Sequence, residues 1–177
     1  MRRVAVVGGP GSGKSTVARL IADRLDAPLV ELDALWWQPD WVPTDLTQFR
    51  SDVRTVSNTP AWVIEGNYLD EVGRDIVLPR ADTLVWLDPP RRIAIGRALR
   101  RSVGRLVRRT ELWDTNRQGI STLSPASVVR LIKRWPGYSK LIEETLASGQ
   151  YPHLSVHRLR NDREFTAWLD LDGHQHR

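Results

Sequence analysis

The feature that most restricts the fold is the nine-residue stretch "GGPGSGKST", Gly8 to Thr16, standing directly after an apolar run, Val4 to Val7. It contains G-x-x-x-x-G-K-[ST] at Gly8, Gly13, Lys14 and Ser15. Glycines let a loop turn its backbone N–H groups inward around a phosphate, and the helix that follows adds the positive end of its dipole. A lysine at this spacing reaches the terminal phosphates, and the adjoining hydroxyl is a ligand for Mg2+. Gly8, Gly11, Ser12, Gly13, Lys14, Ser15 and Thr16 are therefore the expected phosphate site.

Such a loop needs a strand before it and a helix after it, and the chain repeats that alternation. Strands are expected at Arg3 to Val7, at Pro28 to Leu32, and within "AWVIEG", "DTLVWLD" and "LSVHRL". A helix is expected from Lys14 to about Leu25, with Val17, Leu20, Ile21 and Leu25 on one face. Thr44 is expected to cap a helix of about Asp45 to Val56. A long helical region starts near Pro90, and another runs from about Pro125 to Ala147 with an interruption at Pro136-Gly137. Asp162 opens a last helix through Leu171, and the tail "DGHQHR" reads as disordered. Continuously apolar strands alternating with helices indicate an α/β domain, a parallel sheet covered on both faces. At 177 residues, without a linker or low-complexity tract, one domain over residues 1–172 is expected.

Charge narrows the partners. The chain carries a formal net charge of +5, compatible with nucleic acid or with polyanionic small molecules. The excess is local. Between Asp88 and Glu111 there is no acid, while Arg91, Arg92, Arg97, Arg100, Arg101, Arg105, Arg108 and Arg109 all fall there. Ile95, Leu99, Val103 and Leu106 make one helical stripe; Arg97, Arg101, Arg105 and Arg108 lie nearly opposite. Those arginines suit a lid over a polyphosphate, with Arg97, Arg101 and Arg105 the candidates for the transferring group. A solvated basic face or a nucleic-acid patch is the competing reading. The aromatic–basic interleaving of single-strand platforms is missing from the stretch.

Cysteine is absent, which excludes disulfides and thiolate metal sites. The histidines lack acidic or thiolate partners at ligand spacing. Nothing approaches the roughly 18 apolar residues of a membrane span, so a cytoplasmic protein without a membrane partner is expected. Two acids end strands, Glu65 and Asp88. Either can serve Mg2+ through water, or act as a loop cap or a structural salt-bridge acid; Glu65 is preferred. "LDALWWQPDW" sets Asp33 beside Trp36, Trp37 and Trp41, as a pocket wall or as aromatic packing.

With "GGPGSGKST", "LDALWWQPDW", "VIEGNY", "ADTLVWLDPP", the arginine stretch and "HRLRNDREFTAWL" assembled, the chain resembles the P-loop kinases of the adenylate kinase class. More narrowly, it is similar to the "DNA topology modulation" family of adenylate-kinase-related proteins. The resemblance implies a P-loop NTPase domain with a five-stranded parallel sheet in order 2-3-1-4-5. It also implies an acceptor-side insertion at about residues 33–58, an Arg-rich lid at about 91–120, and use of ATP and Mg2+. Asp33, Trp36, Trp37, Trp41, Gly66, Asn67 and Tyr68 then fall on the acceptor side. Asn161 and Asp162 cap the final helix or approach an adenine ring.

The departures are informative. Adenylate kinases proper carry an acceptor-side arginine after strand two and another in a Gly-Phe-Pro-Arg turn after strand three. Here no arginine lies between Arg24 and Arg50, and the turn reads Gly66-Asn67-Tyr68-Leu69, leaving Arg50, Arg54 or Arg74 to compensate. This argues against AMP. Asp33 fits a hydroxyl acceptor, whose proton needs a destination. The expected function is ATP- and Mg2+-dependent phosphoryl transfer to a small-molecule or nucleotide acceptor. The rivals are a nucleic-acid-associated ATP-binding regulator and a nucleotide switch without acceptor.

Overall fold

A computed structural model of the chain describes residues 1–108, 111–112, 116–117 and 124–172. β1 (Arg3–Gly8) passes through the glycine loop into α1 (Lys14–Leu25). β2 (Leu29–Glu31) runs straight into α2 (Leu32–Trp36), followed by a 3-10 turn at Pro39–Trp41 and by α3 (Leu46–Ser57). β3 (Trp62–Glu65), a π-helical segment at Leu69–Val77 and β4 (Thr83–Leu87) come next. They are followed by α4 (Arg91–Arg108), β5 (Glu111–Leu112), β6 (Asn116–Arg117), α5 (Pro125–Ala147), β7 (Ser155–Leu159) and α6 (Asp162–Asp172). The expected tail from residue 173 onward, with His174 and His176, lies outside the described residues, as do Arg109 and part of the expected lid.

The main sheet is parallel, in the order β2-β3-β1-β4-β7, which is 2-3-1-4-5 counted over its own strands. Period-two alternation divides its side chains between two cores. Ala5 and Val7 of β1 point to one face with Phe49, Val53, Ile76 and Ile142, from α3, the π-helical segment and α5. Val4 and Val6 point to the other, against Val17, Ala18, Ile21 and Trp168 of α1 and α6. Burial on both faces explains why the strands read as apolar runs rather than alternating ones. Every strand of this sheet ends at the same edge, so the loops after β1, β2 and β3 meet there.

Several local expectations need correction. Asp45, not Thr44, caps α3: its carboxylate accepts from the Thr47 and Gln48 N–H groups, while the buried Thr44 hydroxyl donates to the Leu35 carbonyl. α5 continues through Pro136 without a break. The proline costs a hydrogen bond, but the neighbouring Trp135 is 6% exposed, and its burial offsets the loss. The buried stripe of α4 is Ala94 and Ala98, whereas Val103, on the expected apolar stripe, is 47% exposed. Alanine carries little hydrophobic signal, yet only a small side chain fits where this helix meets the glycine loop. In the π-helical segment the N–H groups of Gly73 and Leu78 reach back five residues, to the carbonyls of Tyr68 and Gly73.

Asp82 ties β1 to β4. One carboxylate oxygen accepts from the Arg2 and Arg3 N–H groups at 2.8 and 2.9 Å, and the other accepts from the Thr83 hydroxyl at 2.7 Å. Burial opposes its ionisation, but the Arg3 N–H, the Thr83 hydroxyl, the Arg2 N–H and the N-terminal charge together hold its pKa below the ordinary value. A depressed folded-state pKa contributes stability above the unfolded-state value and loses it as pH falls through the folded one. Asp82→Ala is expected to lower Tm at neutral pH by about 2–4 °C, for a loss of about 1 kcal/mol. A melt series run downward in pH should show the wild type and the variant converging in acid.

Candidate functional site

The glycine loop is held from three sides. Below it, the Asn67 side chain at the end of β3 accepts from the Gly8 N–H at 3.1 Å and donates to the Gly8 carbonyl at 2.7 Å. Beside it lies α4. Gly11 has φ +77°, and a Cβ there would stand 2.1 Å from the Ala94 carbonyl oxygen, so loop and helix touch backbone to backbone. Over it lies α5, because a Cβ on Gly9 would come within 2.7 Å of the Trp135 ring. Gly8 and Gly11 therefore shape the loop. Ser12, Gly13, Lys14, Ser15 and Thr16 line the space around it.

Two clefts flank the loop. One, of about 480 Å3, is lined by Lys14, Ser15, Asp33, Trp36, Trp37, Glu65, Asn67, Tyr68, Arg101 and Arg105, among others. The other, of about 460 Å3, has Ser12, Gly13, Thr16, Arg97, Asn161 and Phe165 in its walls. Three arginines of α4 expected to act together are thus divided. Arg101 and Arg105 face the first cleft, while Arg97 borders the second and pairs with Asp162 at 2.9 Å. The geometry of α4 explains the split, since residues 94, 98, 101 and 105 follow one another along a single helical face.

In the first cleft the Ser15 hydroxyl donates to Glu65 Oε1 at 2.9 Å. Glu65 is 3% exposed. Burial raises its pKa, opposed by the Lys14 charge and the Ser15 hydrogen bond. Burial also lowers the Lys14 pKa, against the pull of Glu65 and Asp33, so the ammonium and both carboxylates share one electrostatic neighbourhood. Among the described residues no group of three or more His, Asp or Glu side chains is arranged to hold a metal by itself. One carboxylate and one hydroxyl at a phosphate loop do fit Mg2+, which takes the rest of its oxygens from phosphate and water. The Ser12 hydroxyl, buried in the loop with no hydrogen-bond partner among the described residues, also fits a site completed by phosphate oxygens. Asp88 is committed elsewhere: it accepts from the Ser139 hydroxyl at 2.9 Å and from Arg158 at 2.5 and 2.9 Å.

Asp33 opens into the same cleft from the first turn of α2. The Tyr68 hydroxyl donates to its Oδ1 at 2.6 Å. Burial, then the Asp33 charge and that hydrogen bond, push the phenol above its ordinary pKa, so it stays a donor. The tryptophans divide their work. Trp36 packs on the core, its ring 5.0 Å from Phe49 and 5.7 Å from Tyr68, while one side meets the cleft. Trp37 lines the cleft, with Trp41 edge-on behind it at 5.7 Å. Trp41 is not part of the wall. Its backbone N–H donates to Asn116 Oδ1 at 2.8 Å, and the Asn116 side-chain amide donates to the Gln38 carbonyl at 2.8 Å. Gly66 is likewise outside the wall and serves the turn, where a Cβ would meet Leu32 at 2.8 Å.

None of the three arginines offered as acceptor-side substitutes reaches this cleft. Arg50 donates to the Glu71 carbonyl and pairs with Asp75, Arg74 is held by Thr145 and Asp70, and Arg54 is exposed. His153 and His157 contact the Leu78 carbonyl and the Ser155 hydroxyl, with no metal-ligand set around either among the described residues. Asn161 caps α6, accepting from the Glu164 N–H at 2.9 Å, and also borders the second cleft. Sequence reasoning missed Asn116, Trp135 and Tyr138, since no local pattern marks them.

Residues 4–72 match the family described as ATPase family associated with various cellular activities (AAA). Among solved structures the chain is similar to a gluconokinase from Sinorhizobium meliloti 1021, at 18% identity and a TM-score of 0.53, over 99% of this chain and 98% of the other. It is also similar to a shikimate kinase from Aquifex aeolicus vf5, at 15% identity and a TM-score of 0.53, over 98% of each chain. No curated protein matches. Among the described residues no helix is long and apolar enough to cross a membrane. The chain has a P-loop NTPase-like fold: a single α/β domain whose five-stranded parallel sheet, ordered 2-3-1-4-5, carries helices on both sides.

Proposed function

We propose that the chain is an ATP-dependent, Mg2+-dependent kinase of the adenylate-kinase-related, topology-modulation type, acting on a small molecule through a hydroxyl group. The observation that carries this reading is the convergence of Lys14, the Ser15–Glu65 pair and the Tyr68-held Asp33 on one cleft. That the two similar structures are named as kinases agrees with it. Residues 33–58 would form the acceptor side, and α4, from the segment 91–120, the described part of the lid.

ATP lies with its phosphates over the loop and its base in the second cleft, where Arg97 and Asn161 stand. Ser15 and Glu65 would hold Mg2+, which would supply charge neutralisation at the phosphates. The acceptor hydroxyl oxygen forms a bond to the γ-phosphorus as the bond to the β–γ bridging oxygen breaks, and ADP leaves. Asp33 takes up the hydroxyl proton, its Oδ1 fixed by Tyr68 and its other oxygen turned to the acceptor. Lys14 and Arg101 neutralise charge on the moving phosphoryl group, the main task of catalysis in such transfers. Screening classes of hydroxyl compound against radiolabelled ATP tests the reading, and an acceptor-independent ATPase would leave the nucleotide switch in its place.

The exposed Arg91, Arg92 and Arg100 could also serve a nucleic-acid regulator. Duplex DNA binding by the kinase is expected to be weak and erased near about 200 mM salt, as for counterion-driven contacts. Binding that survives such salt and requires arginines of α4, Arg91, Arg92 and Arg100 as well as Arg101 and Arg105, would make the regulator the better reading.

A further inference from the structure

Arg105 is the cation of the first cleft that the proposed transfer leaves unused. α4 presents its arginines in sequence across the site. Arg97 stands at the second cleft, and Arg101 is close enough to Lys14 for its charge to oppose the lysine's. Arg105 stands further along, where the charges it feels besides Arg101 are those of Glu31 and Asp33 on the acceptor side. Burial, then Arg101, lower its pKa from the ordinary arginine value. Among the described residues no hydrogen bond or ion pair engages Arg105, and Glu31 is paired with Arg19 at 3.7 Å. A guanidinium half withdrawn from water, with no partner among the described residues, is partly desolvated, and an anion presented in its plane offsets that loss.

We propose that the acceptor carries an anionic group, a carboxylate or a phosphate ester, which Arg105 binds while Asp33 engages the reacting hydroxyl. The inference rests on the kinase reading and names its substrate class. Charge matching supports it. The nucleotide phosphates answer Lys14 and Arg101, and the acceptor's anion answers Arg105. Asp33 repels that anion, so the acceptor enters in one orientation, with the hydroxyl at the acid and the charge at the guanidinium. Trp37 forms the wall beside Asp33, and a neutral polyol placed there would leave the guanidinium unpaired.

The test is ATP-dependent turnover of four pooled sets: hydroxy carboxylates, sugar phosphates, neutral polyols and nucleosides. ATP affinity is measured separately by calorimetry. Turnover is expected with one of the two anionic sets, and which one identifies the group. Arg105→Gln is expected to raise the acceptor KM by about 10–100-fold, the effect of losing a charge-assisted pair, while ATP affinity holds. Arg105→Lys should recover part of the loss and serves as the probe if the glutamine variant does not fold. Neutral polyols or nucleosides as the best acceptors would overturn the inference, as would a change in ATP affinity with an unchanged acceptor KM. ATP binding without turnover of either anionic set also overturns it, whereas failure to bind ATP overturns the kinase reading itself.

Discussion

Lys14→Ala is expected to remove nearly all ATP turnover, by about 10²–10³-fold or more, while the fold survives. Groups aimed at the charge that develops in transfer are worth that much. No other ammonium stands at the loop among the described residues, and Arg101 reaches the site only from α4. Stability should not follow activity down. Burial already works against the Lys14 charge, so deleting it removes a desolvation cost along with the favourable pull of Glu65 and Asp33. Tm measured beside calorimetric ATP affinity and turnover checks both halves. A folded Lys14→Ala protein with unchanged affinity and rate would remove the phosphate site from this loop.

Asp33→Asn should lower phosphoryl transfer by about 10²–10⁴-fold, the usual range for a lost general base, and leave ATP affinity nearly unchanged. The asparagine can still accept from the Tyr68 hydroxyl at the same place, so the change falls on proton uptake rather than on packing. The tryptophans should separate in the same assay. Trp36→Ala exposes Phe49 and Tyr68 to a cavity and is expected to cost up to about 3 kcal/mol of stability, affecting both substrates. Trp37→Ala should act chiefly on the acceptor KM, with a smaller loss of stability. Equal destabilisation in the Trp36 and Trp37 variants, together with full turnover in Asp33→Asn, would make the cluster a core element and move the acceptor elsewhere.

What was legible in the sequence was local. The glycine loop, the apolar strands and the acids at their ends stand within a few residues of one another, and each names its own chemistry. The alternation of strands and helices gave the layering, and the family resemblance gave the sheet order. What was not legible lies in pairings across the chain. Tyr68 and Asp33 are 35 positions apart, and Asn116 and Trp41 are 75 apart. No window of sequence carries such contacts. The α4 stripe failed for another reason. Hydrophobicity ranks Ile95, Leu99 and Val103 above Ala94 and Ala98, but the approach of a glycine backbone selects the smallest side chains instead. Asp45 and Thr44 are both good caps, and only the Leu35 carbonyl, supplied by the fold, decides between them.

The meeting of Gly11 with Ala94 and Ala98 gives α4 a fulcrum. With no side chain between loop and helix, the turn at residues 94–98 cannot slide without driving backbone into backbone. Any swing of the helix therefore pivots there. Arg101 lies about 4.5 Å beyond Ala98 along the axis and Arg105 about 10.5 Å. A tilt of about 10° then carries the Arg105 turn about 1.8 Å and the Arg101 turn less than half as far, by the same rise per residue. The short arm would stay near Lys14 while the long arm would move on the Asp33 side of the cleft. In the proposed kinase, one rigid helix would thus hold its phosphate-side arginine nearly still while moving the acceptor-side one.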